Sequence, residues 1–235
     1  MIKLIAFDLD NTLAELGKGI AEKDLKILKS IERQGIAIAV CSGKPIYYLC
    51  GFMRQAGLER PILVGENGAV IQMGVDLPPK EYYVLPYSKK AEDAIVLMRE
   101  KITELLPDIW YQPNQVGLTP FPKGKKEFQI IEDCLSEYEN ELEDVVVYRH
   151  VDSFDIMPVG IDKKRGMEFL GSLLEIRPEE TAVVGDGVND YPMFEYASYA
   201  VGVNVEAEER VNVNFTNITE ALGHLTEKIA AERAE

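Results

Sequence analysis

Four apolar runs in this chain stop abruptly at charged or hydroxyl-bearing residues, and the way they alternate with helices restricts the fold. LIAFD (4–8) leads into Asp8-Leu9-Asp10-Asn11-Thr12, IAIAVCS (36–42) into Ser42-Gly43-Lys44, PILVGEN (61–67) into Glu66-Asn67, and TAVVGD (181–186) into Asp186-Gly187-Val188-Asn189-Asp190. Between the first two, residues 21–34 place Leu25, Leu28 and Ile31 at helical spacing, and Gly35 follows as a helix stop. Further helices are expected near 45–56, 163–174, 190–197 and from 217 onward, with another strand at YAVGV (199–203). Continuous apolar strands separated by amphipathic helices predict an α/β fold with a doubly wound parallel sheet covered on both faces. AVIQM (69–73), after Asn67-Gly68, reads as a hairpin returning from the third strand.

The rhythm changes between Leu77 and Pro158. There the pattern is a strand, a long helix (88–106), two strands (109–112, 116–120), a helix (127–141) and two more strands (145–149, 154–157). A helix followed by paired short strands, twice over, predicts an antiparallel sheet with helices on one face. Pro78-Pro79 and Pro158-Val159-Gly160 mark the expected linkers. The predicted organisation is therefore a core of residues 1–78 and 159–235, with 79–158 inserted as an α+β domain.

In such a sheet, ligands gather outside the carboxyl ends of the strands, so the four polar clusters are expected to meet at one edge. Carboxylates crowded there repel unless a cation sits among them, and hard oxygen donors in that number suit Mg²⁺. A carboxylate held in this way can attack phosphorus. A second one, two residues on, can protonate the leaving oxygen and later deprotonate water. A Ser hydroxyl, loop N–H groups and a Lys would stabilise the transferring phosphoryl charge. Asp8, Asp10, Ser42 and a Lys from 163–164 are available for these tasks. Taken singly, Ser42 reads as a cap for the helix after Pro45, which is compatible with an anion site at a helix N-terminus.

Composition narrows the partners. The 235 residues carry a formal charge of −15, which argues against nucleic acid or an anionic membrane as the main partner. Three cysteines without zinc-like spacing predict neither a disulfide framework nor a metal cluster, and Cys41 reads as a core residue. Asp8 and Asp10 interrupt the first apolar run too early for a signal peptide, and no stretch is long enough to span a membrane. A cytoplasmic protein, monomer or homodimer, is expected. Trp110 and Tyr111 read as core of the inserted domain, and the acidic stretch 132–144 as a solvated face.

DLDNT, the Ser-Gly after the second strand, a Lys opening a later helix, and GDGVND resemble the four motifs of the haloacid dehalogenase superfamily. The position of the insert is similar to that of its Cof-type (class IIB) branch, which includes phosphoglycolate, sucrose-phosphate and mannosyl-phosphoglycerate phosphatases as well as phosphomannomutase. The resemblance implies Asp8 as nucleophile, Asp10 as acid/base, Ser42 as phosphoryl binder and Lys163 as the bridge between nucleophile and phosphate. It implies Mg²⁺ held by Asp8, the carbonyl of Asp10 and Asp186, with Asp190 and Asn189 supporting. Leu9, Gly43, Lys44, Asn67 and Asn189 would contact substrate. Asn11 stands where that branch usually has Gly, and Lys44 where many members have Arg.

The function implied is Mg²⁺-dependent hydrolysis of a small phosphorylated metabolite, a sugar phosphate or phosphoglycolate-like acid, through an aspartyl-phosphate, with the insert as a specificity cap. The alternatives are a phosphomutase of the phosphomannomutase type and a non-catalytic phospho-ligand-binding protein. In the insert, 117–127 and 148–150 carry cations suited to a substrate carboxylate or second phosphate, and Asn204 is a further candidate for the leaving group.

Overall fold

The computed structural model describes residues 1–234, which divide into two compact units. The first comprises Met1–Tyr83 and the chain from Asp162 onward, and the second is Val84–Ile161.

The first unit begins with β1 (Leu4–Phe7), α1 (Glu22–Arg33), β2 (Ala37–Cys41), α2 (Ile46–Ala56), β3 (Ile62–Gly65) and β4 (Val70–Met73), and β5 (Tyr82–Val84) starts in it and ends on the first residue of the second. The second contains α3 (Lys89–Leu105), β6 (Trp110–Tyr111), β7 (Pro120–Phe121), α4 (Lys125–Glu137), β8 (Val145–Arg149) and β9 (Phe154–Pro158). The chain then returns to the first unit with α5 (Lys163–Leu174), β10 (Thr181–Gly185), α6 (Tyr191–Tyr196), β11 (Tyr199–Val203), β12 (Val213–Phe215) and α7 (Ile218–Ala234).

One sheet of order β12-β11-β10-β1-β2-β3-β4-β5 organises the first unit. Its strands from β12 to β3 run parallel, and β4 turns back antiparallel to β3, as the Asn67-Gly68 signal predicts. Leu4–Phe7, Ile38–Cys41 and Ala182–Val184 are fully buried, because helices cover both faces of these strands. β1 sits between β10 and β2, so the order reverses at β1, and the polar residues after it stand at a topological switch point.

One expected strand joins a different sheet, and one strand was not expected. β5 extends the large sheet, where the sequence suggested the first strand of the insert; its YYV has only three residues to carry a pattern. β12 is a three-residue edge strand, VNF, too short for alternation to register.

In the second unit, α3 and α4 cover one face of the strands. Ile95, Met98 and Ile102 of α3 and Ile131 of α4 close a core with Leu118, Phe154 and Ile156. The single antiparallel sheet predicted there is instead two pairs, β6-β7 and β8-β9, joined by one bridge between Leu118 and Ile156. Pro120 lacks the N–H that would continue the ladder. Trp110, expected in the core, is 57% exposed and packs edge-on against Phe121.

Candidate active site

β1 delivers Asp8 to the sheet edge, where its N–H donates to Val184 O at 2.8 Å and so continues the β1–β10 ladder. The chain then reverses tightly. Asn11 takes φ +64°, its N–H donates to Ala14 O, and Ala14 N–H donates to Leu9 O. Asn is among the few β-carbon-bearing residues that visit this region readily, which accounts for its standing where Gly is usual in the related branch. Leu9 buries its side chain, so any substrate role falls to its backbone N–H.

α5 opens on Asp162, whose carboxylate caps it by accepting from Arg165 N–H at 2.8 Å. The next residue, Lys163, is fully buried, and its Nζ donates to Asp8 Oδ1 and Asp190 Oδ1, each at 2.6 Å. Lys164 instead faces outward toward Glu195 at 3.8 Å, so of the two lysines it is Lys163 that joins the carboxylates. Burial opposes the charge on Lys163, but the carboxylates of Asp190 and Asp8 outweigh it and hold the ammonium's pKa above the ordinary value.

The loop after β10 supplies the remaining carboxylates. Asp190 Oδ2 accepts from the N–H groups of Asp186 and Gly187 at 2.9 and 3.0 Å, so both oxygens of this fully buried side chain are engaged. Asp186 is half-buried and accepts from Thr12 Oγ1 at 3.0 Å. Asp8, Asp186 and Asp190 each place one oxygen within 4.8 Å of the others.

Burial pushes the Asp8 carboxyl up to about 7; Lys163 opposes the rise, and the charges of Asp190 and Asp186 add to it. Burial and Asp190 likewise raise Asp186. One ammonium therefore faces three carboxylates, a surplus of negative charge that a small hard cation would neutralise, and an all-oxygen donor set fits Mg²⁺. Asp190, with both oxygens already accepting hydrogen bonds, completes with Asp8 and Asp186 the group that could hold a metal.

Not every predicted residue joins this cluster. The Asp10 carboxylate lies outside the three-carboxylate group and pairs with Lys44 at 3.6 Å. Ser42 is buried at the end of β2, and its Oγ accepts from Lys44 N–H at 3.2 Å. The Asn67 amide lies over Gly43, 3.3 Å from where a β-carbon would stand. Asn189 is exposed, with Oδ1 folded back over Gly187. Asn204 turns with φ +54° and donates to Thr216 O, a local structural task. Arg149 of the insert is bound to Glu132 at 2.7 Å and covers the Phe128 ring, while His150 pairs with Asp155. Cys41 is a core residue whose thiol burial pushes up to about 12. Thr12 has no role in the sequence pattern alone, yet its place beside the paired aspartates is what brings its hydroxyl to Asp186.

An aspartate at a switch point, bridged by a buried lysine to the carboxylate loop after the neighbouring strand β10, is the arrangement expected of a phosphatase of the haloacid dehalogenase superfamily, and the chain's relatives place it there. Residues 1–233 match the sequence profile described as sucrose-6F-phosphate phosphohydrolase, and the chain belongs to that family. A phosphoglycolate phosphatase of Thermoplasma volcanium is 27% identical over 195 residues, covering 83% of this chain and 82% of its own. Among solved structures, a haloacid dehalogenase-like hydrolase from Bacteroides thetaiotaomicron superposes with a TM-score of 0.77 at 19% identity, covering 96% of this chain and all of its own. The HAD subclass IIB sugar phosphatase BT4131 superposes with a TM-score of 0.70 at 18% identity, covering 95% of this chain and 99% of its own. Among the described residues, no helix is long and apolar enough to cross a membrane.

Proposed function

We propose that this protein is a Mg²⁺-dependent phosphatase of a small phosphorylated metabolite, a sugar phosphate or a phosphoglycolate-like acid, acting through an aspartyl-phosphate on Asp8. The observation that carries the reading is the buried Lys163 ammonium held at 2.6 Å from both Asp8 and Asp190, beside the half-buried Asp186. It fixes one Asp8 oxygen and leaves the other to serve as nucleophile.

Asp8 attacks phosphorus, the bond to the leaving oxygen breaks, and Asp10 gives that oxygen its proton. Asp10 then takes a proton from water, the hydroxide attacks phosphorus, and the acyl–phosphate bond breaks to restore Asp8 and release phosphate. Ser42, the Gly43 N–H and Lys44 contact the phosphoryl oxygens, while Lys163 keeps Asp8 oriented. Lys44, being a point charge where a guanidinium would give a fork, favours a phosphoryl group held from several directions. Mg²⁺, held by Asp8, Asp186 and the Asp10 carbonyl, would supply charge neutralisation between the carboxylate and the phosphoryl group. Specificity is assigned to the unit 84–161. The relatives named for phosphoglycolate and sugar phosphates support a small phosphomonoester as substrate.

The test is phosphate release from a panel of sugar phosphates and phospho-acids with Mg²⁺, beside Asp8→Asn. Expected is activity abolished by EDTA and by Asp8→Asn. Full activity in Asp8→Asn would overturn the assignment of the nucleophile.

A further inference from the structure

The first turn of α5 lies against the turn after β3 at a separation that only glycine permits. A β-carbon on Gly166 would stand 2.7 Å from Gly68 Cα and 3.0 Å from Val64 Cγ1, and one on Gly68 would overlap the Asp162 carbonyl oxygen. Both partners of this contact are therefore backbone, which cannot rotate away as a side chain would.

The turn itself is unusual. Glu66 (φ +52°) and Asn67 (φ +53°) precede Gly68 (φ +99°), so three successive residues are left-handed, and two of them carry a β-carbon. Such a conformation persists only where its surroundings hold it. Glu66 N–H donates to Lys44 O and Asn67 N–H to Ser42 O, each at 3.0 Å. One side of the turn is thus bound to the loop after β2. On its other side Gly68 meets Asp162, the cap of α5, whose carbonyl accepts from Gly166 N–H at 3.1 Å. Lys163 follows that cap directly.

We propose that the Gly68–Gly166 contact sets the position of Lys163, locking the helix that carries the ammonium to the loop that carries Ser42. Gly68 and Gly166 are positioning residues; their effect on rate rests on the phosphatase reading above, whereas their effect on the ammonium does not. The ammonium has no slack, since it reaches two buried oxygens at 2.6 Å. Non-bonded carbons settle near 3.5–4.0 Å, so a methyl on Gly166 must move the first turn of α5 by about 1 Å. A displacement of about 1 Å at a reacting centre costs on the order of 10²-fold in rate.

A control lies in the same helix. A β-carbon on Gly171 would overlap the Tyr196 hydroxyl and stand 2.8 Å from Ile176 O, a crowding at the opposite end of α5 from Lys163. The experiment records the side-chain ammonium signals of protein labelled with ¹⁵N-lysine, with the buried Lys163 resonance assigned by its loss in Lys163→Met, together with phosphate release. Expected for folded Gly166→Ala is a shifted or vanished Lys163 signal and a rate lowered about 10²-fold, while Gly171→Ala keeps the signal and the rate. If Gly166→Ala alone does not fold, Gly166→Ala/Val64→Ala removes the side-chain clash, keeps the backbone one and carries the same expectation. An unmoved Lys163 signal in either folded variant overturns the proposal. Should the wild type release no phosphate, the phosphatase reading fails and the ammonium signal still decides the contact.

Discussion

Asp8→Asn should stabilise the metal-free protein even as it abolishes catalysis, and by an amount that depends on pH in a definite direction. Burial, with Asp190 and Asp186 adding to it, raises the Asp8 carboxyl from 3.8 to about 7 against the opposing pull of Lys163. A carboxylate whose folded pKa is raised is a liability once the unfolded chain can ionise. Between pH 3.8 and about 7 the folded state retains a proton that the unfolded state has released, so stability falls as pH rises. The fall is about 1.4 kcal/mol per pH unit, levelling near about 4 kcal/mol above pH 7. Asn has the shape of the protonated acid, keeps an oxygen for Lys163, and carries no charge to titrate.

The assay is urea denaturation of wild type and Asp8→Asn in EDTA at several pH values. Contributions from groups remote from Asp8 cancel in the difference. The advantage of Asp8→Asn should be small near pH 4, grow through pH 6 and flatten above about 7. Adding Mg²⁺ should shrink or reverse it, because the metal stabilises the folded wild type through the ionised Asp8. A difference that is flat with pH in EDTA, or a wild type more stable than the variant above about pH 7, would refute the electrostatic account of this site.

Asp190→Asn should do the opposite. Its two oxygens accept from Lys163 and from the N–H groups of Asp186 and Gly187, so the amide must turn a donor toward one of these donors; denaturation should show a loss of about 3–5 kcal/mol, comparable to breaking a buried ion pair. Far from the site, Glu180 accepts from Lys3 and Arg177 and is thereby held down at about 2. Its contribution is complete above 4.5 and lost as pH falls toward about 2, so the stability difference between wild type and Glu180→Gln should shrink across that window in acid titrations.

The sequence displays this site unevenly, for reasons that lie in the chain itself. Asp8, Asp186 and Lys163 were legible because each directly follows a long apolar run or a helix cap, and parallel-sheet topology sends all strand ends to one edge. Their partition into roles was not legible. Asp10 stands two residues from Asp8 in a tight reversal, and only the left-handed Asn11 turn determines that its carboxylate faces Lys44 rather than the other three. Asp190 reads in sequence as another acidic ligand, yet backbone N–H groups occupy one oxygen and an ammonium the other. β12 is illegible because three residues are too few to express a period, and the strand expected before α3 gives no sign in its three residues that it joins the large sheet. The glycines at 68 and 166 carry no chemistry of their own, and their meaning lies in what a methyl group would strike. What placed the charges was thus written in periodicity, whereas what apportions them is written in backbone angles and close approach. The balance of charge makes the distinction consequential: three carboxylates stand around one ammonium, and Asp8 and Asp186 are each less engaged by the protein than Asp190, whose two oxygens are both taken.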